Sequence, residues 1–280
     1  MVSRLVLAAD SALACRCREL VRGRRCVVFA GIPGTGKSLW VQQVSLLAEA
    51  EGRRVHLLQW DVVCEVFESS AAARRFPPVD GVTHVGVRAG VGWWARRAMG
   101  AWGRAHPGEQ HLMVVEAPLV GNRLAELARV RPDDAEALLG RRCGVFVVPA
   151  PSERVRRVIE DSRRRESREP WHVRERACAA PAVVDHLWQE IAGLADEPGT
   201  GDEPGYRRDV FVAVYRKVLR DRAVVVLPVD EVLPVVTSPH EAGAEVVDVL
   251  PSAREVAEAM ALVGRWSPER LRADAEHWCG

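Results

Sequence analysis

The stretch Gly31-Ile32-Pro33-Gly34-Thr35-Gly36-Lys37-Ser38 combines residue types and a spacing that imply chemistry. It fits the pattern G-x-x-x-x-G-K-[ST]. Glycines let a backbone wrap an anion closely and turn its N–H groups inward, where a side chain would obstruct the approach. A helix starting near Lys37 would offer its positive end to the same anion. The Lys37 ammonium is then placed for terminal phosphates, and the Ser38 hydroxyl for Mg²⁺. Lys37 and Lys217 are the only lysines among 39 basic residues, so one of the two stands where the pattern needs it. The expectation is a nucleoside triphosphate site built from residues 31–38 and Leu39, with ATP and Mg²⁺ as its ligands.

Such a loop works only between a buried strand and a helix. Cys26–Ala30 is a continuously apolar, β-branched run, as a parallel strand covered on both faces requires. Leu39–Glu51 has helical periodicity and stops at Gly52. Further strands are expected at Val55–Trp60, His111–Glu116, Cys143–Val148 and Ala223–Val229, with a short one near Glu245–Val249. An N-terminal helix is expected from Ser3 to Val21, ending at Gly23. Residues 62–110 read as mostly helical, broken at Pro77-Pro78, Gly81, Gly86 and Gly90. Gly121–Val130, Pro151–Arg168, Val173–Leu194, Arg207–Arg220, Ser252–Val263 and Pro268–His277 also read as helices. Asp196–Gly205 reads as a loop. Strands alternating with helices predict an α/β fold, a doubly wound parallel five-stranded sheet covered by helices on both faces. The organisation is then an N-terminal helix (1–23), a core (24–230) with a helical insertion (62–110) and an Arg-rich segment (151–170), and a C-terminal extension (231–280).

With this motif between strand and helix, the chain resembles the P-loop NTPases, and within them the P-loop kinases related to nucleoside monophosphate kinases. The motif carries the first resemblance. The second rests on the order of elements over 24–230. The resemblance implies that Asp61, directly after the second strand, is the base that takes the acceptor hydroxyl's proton; a helix N-cap is the alternative. It implies that Glu116, ending the third strand, holds Mg²⁺ with Ser38. Kinases usually carry Asp there, and some ATPases use Glu to activate water; a solvated strand end is the plain alternative. Pro118–Arg123 stands where the family contacts substrate, although the family's letters are absent, leaving Asn122 and Arg123 as candidates. The Arg-rich segment from Arg154 to Arg168 matches a mobile lid, with Arg157 and Arg164 placed on the transferring phosphoryl group. Its alternative is a solvated helix with pairs such as Glu153/Arg157 and Arg156/Glu160.

Composition bounds the rest. The chain has 280 residues, a net charge of +1, and 48% hydrophobic and 28% charged residues, which excludes wholly disordered and strongly basic classes. The predominance of arginine over lysine reads as codon bias. No apolar run reaches the roughly 18 residues a membrane span needs, and the first ten residues do not read as a signal peptide. The seven cysteines form no metal-ligand pattern and read mainly as small core hydrophobes in a reducing cytoplasm. The eight histidines show no ligand spacing and read as structural or surface. Trp93-Trp94-x-Arg96-Arg97 reads first as a packing face and only second as a ring-stacking surface. The leading expectation is an ATP-dependent phosphotransferase acting on the hydroxyl or phosphate of a small molecule. An NTP-driven switch or ATPase working with a protein partner is second, and a nucleic-acid end kinase third. Nucleic acid and membrane are not expected partners; the acceptor, the preference for ATP or GTP, the oligomeric state and the role of residues 231–280 are open.

Overall fold

The computed structural model describes residues 5–79, 82–166, 181–195, 205–234 and 246–278. Along the chain run α1 (Ala12–Gly23), β1 (Cys26–Ala30), α2 (Lys37–Ala50), β2 (Arg54–Gln59), α3 (Trp60–Glu68), α4 (Val85–Ala105), β3 (His111–Ala117), α5 (Glu136–Leu139) and β4 (Gly144–Pro151). There follow α6 (Glu153–Glu166), α7 (Pro181–Ala192), α8 (Arg208–Val218), β5 (Val224–Val229), β6 (Val247–Asp248), α9 (Ala253–Val263) and α10 (Pro268–Glu276). The strands form one all-parallel sheet in the order β5-β4-β1-β3-β2-β6. Parallel neighbours need crossovers, and helices supply them on both faces. Alternate residues of β1 show the division: Cys26, Val28 and Ala30 join a core with α3, α4, α8 and α9, whereas Val27 and Phe29 join one with α1 and α2.

The sheet has six strands, not five. The short strand of the C-terminal extension pairs in parallel with β2, His56 opposite Val247 and Leu57 opposite Asp248. Val249 then donates its N–H to the Leu57 carbonyl at 2.8 Å. An outer strand leaves a row of unpaired backbone groups, and β6 covers part of that row.

Three local expectations also change. The N-terminal helix starts only at Ala12, because the Ser11 side chain accepts from the Ala14 N–H and caps it there, and the described residues 5–11 before it are not helical. Gly86 and Gly90 do not interrupt α4, because the absent side chains admit neighbours: a Cβ at Gly90 would lie 2.9 Å from the Met260 sulfur of α9. Close packing outweighs the intrinsic cost of glycine in a helix. Residues 121–130 form no long helix, only a 3₁₀ turn at Ala125–Leu127 after a loop in which Leu119, Gly121, Asn122 and Leu124 all have φ near +60°. Leu119 and Leu124 are fully buried there, so their burial offsets a backbone conformation that L-residues rarely adopt. The expected helix over 173–194 is described only from Pro181, the expected loop only at Gly205.

Cys17, Cys26 and Cys64 are buried, and burial pushes each thiol up to about 12, which suits small inert core residues. Trp94 is buried against Phe67, while Arg97 lies over the partly buried Trp93 at 4.6 Å, so this stretch is a packing face. Among the described residues, no helix is long and apolar enough to cross a membrane.

One buried acid gives the core a pH dependence. Glu126 is enclosed against Gly92 of α4, its Oε2 has no hydrogen-bond partner among the described residues, and burial raises its carboxyl to about 7. The folded chain therefore binds a proton between about pH 4.5 and 7 that the unfolded chain has released, so this group's contribution falls as pH rises across that window. Glu126→Gln should raise stability at pH 8 by on the order of 2–3 kcal/mol and hardly at all at pH 4.5. Urea melts at the two pH values measure this; an equal effect at both would show that the carboxyl is not held protonated.

Candidate functional site

The glycine-rich loop leaves β1 where the chain order reverses, since β3 lies on one side of β1 and β4 on the other. In open α/β sheets, ligands occupy the crevice at the carboxyl ends of the strands beside such a switch point. Gly34 and Gly36 have φ of +85° and +81°, values a side chain would strain, and Gly36 is the N-cap of α2. The Ile32 carbonyl accepts from Thr35 Oγ1 at 2.9 Å and from Lys37 Nζ at 3.2 Å, which ties the loop into a ring. Ile32, Gly34 and Thr35 are buried; Pro33, Ser38 and Leu39 are half-buried.

The far side of this ring is a carboxylate. Glu116, near the end of β3, accepts from Ser38 Oγ at 3.2 Å and lies 3.8 Å from Lys37 Nζ, both through Oε1. Its Oε2 accepts from Gln59 Nε2 at 3.1 Å, at the end of β2. The β2–β3 register places Gln59 directly opposite Glu116. Lys37 and Glu116 are both buried, so each charge stands on the other and on these hydrogen bonds. A carboxylate and a hydroxyl side by side form an oxygen donor set suited to a hard cation such as Mg²⁺.

Helix α6 roofs the loop. A Cβ at Gly34 would sit 3.4 Å from Glu160 Cγ and one at Gly36 3.6 Å from Ile159 Cδ1. Arg156 is buried beneath this roof, donates to Glu160 at 2.6 Å and lies over the Tyr206 ring at 4.4 Å. Its Nη1 has no hydrogen-bond partner among the described residues. Arg157 is exposed on the outer side, its Nε toward the Glu153 carbonyl at 3.4 Å. Arg164 belongs to α6, but its side chain, like residues 167–170, lies outside the described residues.

A second cationic group flanks the crevice. Arg123 is buried in the strained loop and donates to the Val120 carbonyl at 3.3 Å; Arg88 of α4 donates to the Gly121 carbonyl at 2.5 Å. Burial, and then the neighbouring Arg123 charge, pull Arg88 down to about 10, with Glu190 of α7 partly offsetting them. Burial likewise lowers Arg123, opposed by Glu190, Cys64 and Asp61. Asp61 is exposed in the first turn of α3, within electrostatic reach of Arg123. It is not the N-cap, a position held by Gln59. Asn122, fully buried, donates to Asp274 of α10 at 2.7 Å and fixes the loop from behind.

The structure thus gathers Lys37, Ser38 and Glu116 into one cluster and puts Asp61 and Arg123 in a second beside it. Sequence reasoning missed Gln59, Arg88 and Glu190, and read Arg156 only as one of the Arg-rich segment and as a partner of Glu160, a pair the structure contains. Nothing marks Arg88 or Arg156 among so many arginines, whereas Gln59 carried one signal, a polar residue at the end of an apolar strand. No protein-family model matches this chain, and no curated protein or solved structure matches it.

Gly121 is the tightest point of the second cluster. A Cβ there would lie 2.6 Å from Arg123 Nη1 and from Glu190 Oε2, on a residue with φ +56°. Gly121→Ala should cost about 1–3 kcal/mol, the usual range for strain at such a position. Thermal unfolding measures it, and an unchanged midpoint would mean that the loop opens freely.

Proposed function

We propose that this chain is a P-loop phosphotransferase that moves the γ-phosphoryl group of ATP to a small-molecule acceptor. The observation that carries this reading is the convergence of Lys37, Ser38, Glu116 and Gln59 behind a glycine-rich ring at the switch point of a parallel sheet. In this reading the backbone of residues 31–38 and Leu39 cradles the triphosphate. Lys37 turns from Ile32 and Glu116 to the β- and γ-phosphates. Ser38 and Glu116 would hold Mg²⁺, which when bound offsets phosphate charge.

Asp61 takes the proton of the acceptor hydroxyl as its oxygen bonds to the γ-phosphorus and the bond to the ADP oxygen breaks. Arg156, with its unpartnered Nη1 beside Gly34, stabilises charge on the transferring group, a role assigned here in place of Arg157. Arg123 and Arg88 border the acceptor side. The roof of α6 limits access of water, which would otherwise divert ATP to hydrolysis. The hydrolytic alternative, in which Glu116 activates water, uses the same cluster, and the fate of the γ-phosphoryl group separates the two.

Incubation with γ-labelled ATP, Mg²⁺ and pooled metabolites should place label in an organic acceptor; label only in free phosphate would make the chain an ATPase. Lys37→Ala should abolish turnover and, because it leaves the buried Glu116 without its counter-charge, should also lower the melting midpoint of the free protein; turnover by the folded variant would overturn the assignment. Asp61→Asn should lower transfer by about 10²- to 10⁴-fold with ATP affinity nearly unchanged. Arg156→Ala should reduce the rate at least tenfold, within the large span an arginine on a phosphoryl group can supply, and Arg157→Ala should not. Equal effects of the two arginine variants would remove Arg156 from the mechanism.

A further inference from the structure

His56, His106 and His111 belong to three elements and meet at the amino ends of the strands, away from the loop at the carboxyl ends. His56 is the third residue of β2, His111 the first of β3, and His106 the C-cap of α4. One ring nitrogen from each lies within 4.8 Å of the other two, and His56 Nε2 is 3.1 Å from His111 Nδ1. Ring centroids stand 4.6 Å (His56–His106), 5.2 Å (His56–His111) and 4.6 Å (His106–His111) apart.

We propose that these three histidines form a binding site for a divalent transition ion of the zinc class, with solvent as the fourth ligand. Tetrahedral zinc with nitrogen ligands at roughly 2.0–2.1 Å sets neighbouring nitrogens about 3.3 Å apart. The closest pair already has nearly that spacing, and a small rotation of His106 brings in the third.

The surroundings prepare the imidazoles for such an ion. His106 Nδ1 is 3.1 Å from the Trp102 carbonyl. A carbonyl can only accept, so this nitrogen carries the proton and Nε2 keeps its lone pair, the arrangement that orients metal-bound histidines elsewhere. Arg25 donates to the His106 carbonyl, and Arg53 to the His111 carbonyl at 2.7 Å, so both ligand-bearing backbones are clamped. Trp102 packs against both His56 and His106. The arginines set a limit as well. Their charge, with no carboxylate in the triad, opposes a dication, so binding rests on imidazole donor strength. This selects ions that favour nitrogen over Mg²⁺ or Ca²⁺.

His111 also lines an open cleft of about 640 Å³ bordered by Glu49, Gly52, Arg53, Arg54 and Gln110. Solvent in this cleft can supply the fourth ligand. The site is independent of the nucleotide reading.

The full chain, stripped with chelator and dialysed, should bind one Zn²⁺ per molecule in isothermal titration. His106→Gln and His111→Gln should each weaken binding by more than the roughly 10- to 100-fold that loss of a ligand's hydrogen-bond partner costs. His277→Gln, at an exposed histidine beyond α10, should bind as the unaltered chain does. Should a variant fail to fold, the unaltered chain still decides: Co²⁺ should give the intense visible bands of a four-coordinate nitrogen site. No stoichiometric zinc, zinc binding unchanged in the folded triad variants, or only the weak bands of octahedral Co²⁺ would each overturn the proposal.

Discussion

A carboxylate at the end of a central strand, shut off from water, must be met by donors. Glu116 meets that demand through Ser38 and Lys37 on one oxygen and Gln59 on the other. The contacts determine much around it. They fix the first turn of α2 against β3, hold the glycine-rich loop closed through Lys37 and Ile32, and require β2 and β3 to keep a register with Gln59 opposite Glu116. Removing one partner would leave a buried charge alone, which typically costs several kcal/mol, more than the intact pair contributes over an apolar substitute. The arrangement is therefore better understood as a device that specifies one geometry than as a source of stability.

The second cluster follows a related logic with the signs reversed. Arg88 and Arg123 are buried side by side, Glu190 approaches them from α7, and Asp61 acts from the rim. Two adjacent guanidinium groups tolerate each other only because backbone carbonyls of the strained loop accept from them. The loop can hold its left-handed residues because Asn122 is tied to Asp274, and Arg129 to the same carboxylate at 3.1 Å. The C-terminal extension thus braces this loop through Asp274.

Legibility in the sequence tracked the range of the interaction. Residues 31–38 were readable because strand, turn and helix start are contiguous, and each needs particular residue types. The five strands of the core were readable from their apolar runs, within one or two residues at most ends. The sixth was seen as a short strand but not as part of the sheet, because two residues carry no signal of what they pair with. Gly86 and Gly90 looked like helix breakers, since propensity is local and the nearby Phe76 and Met260 that compensate lie elsewhere in the chain. Arg156 and Arg88 were hidden for a statistical reason: in a chain so rich in arginine, only burial separates a working guanidinium from a solvated one. The histidine triad could not be read at all, because His56 and His111 are brought together by strand register and His106 by the end of a helix.

The two residues of β6 have a consequence for how the protein comes into being. They close the edge of β2 from nearly two hundred positions downstream, while α9 and α10 cover α4, and Asp274 of α10 braces Asn122 from 152 positions away. Contacts so remote in sequence form late, because the intervening chain must be ordered before they can repay its entropy. During synthesis the ribosome therefore releases a sheet whose outer strand is open and whose strained loop is unbraced. Until residues 246–278 emerge, that nascent intermediate has an uncovered edge, the kind of surface through which unfinished chains associate with one another.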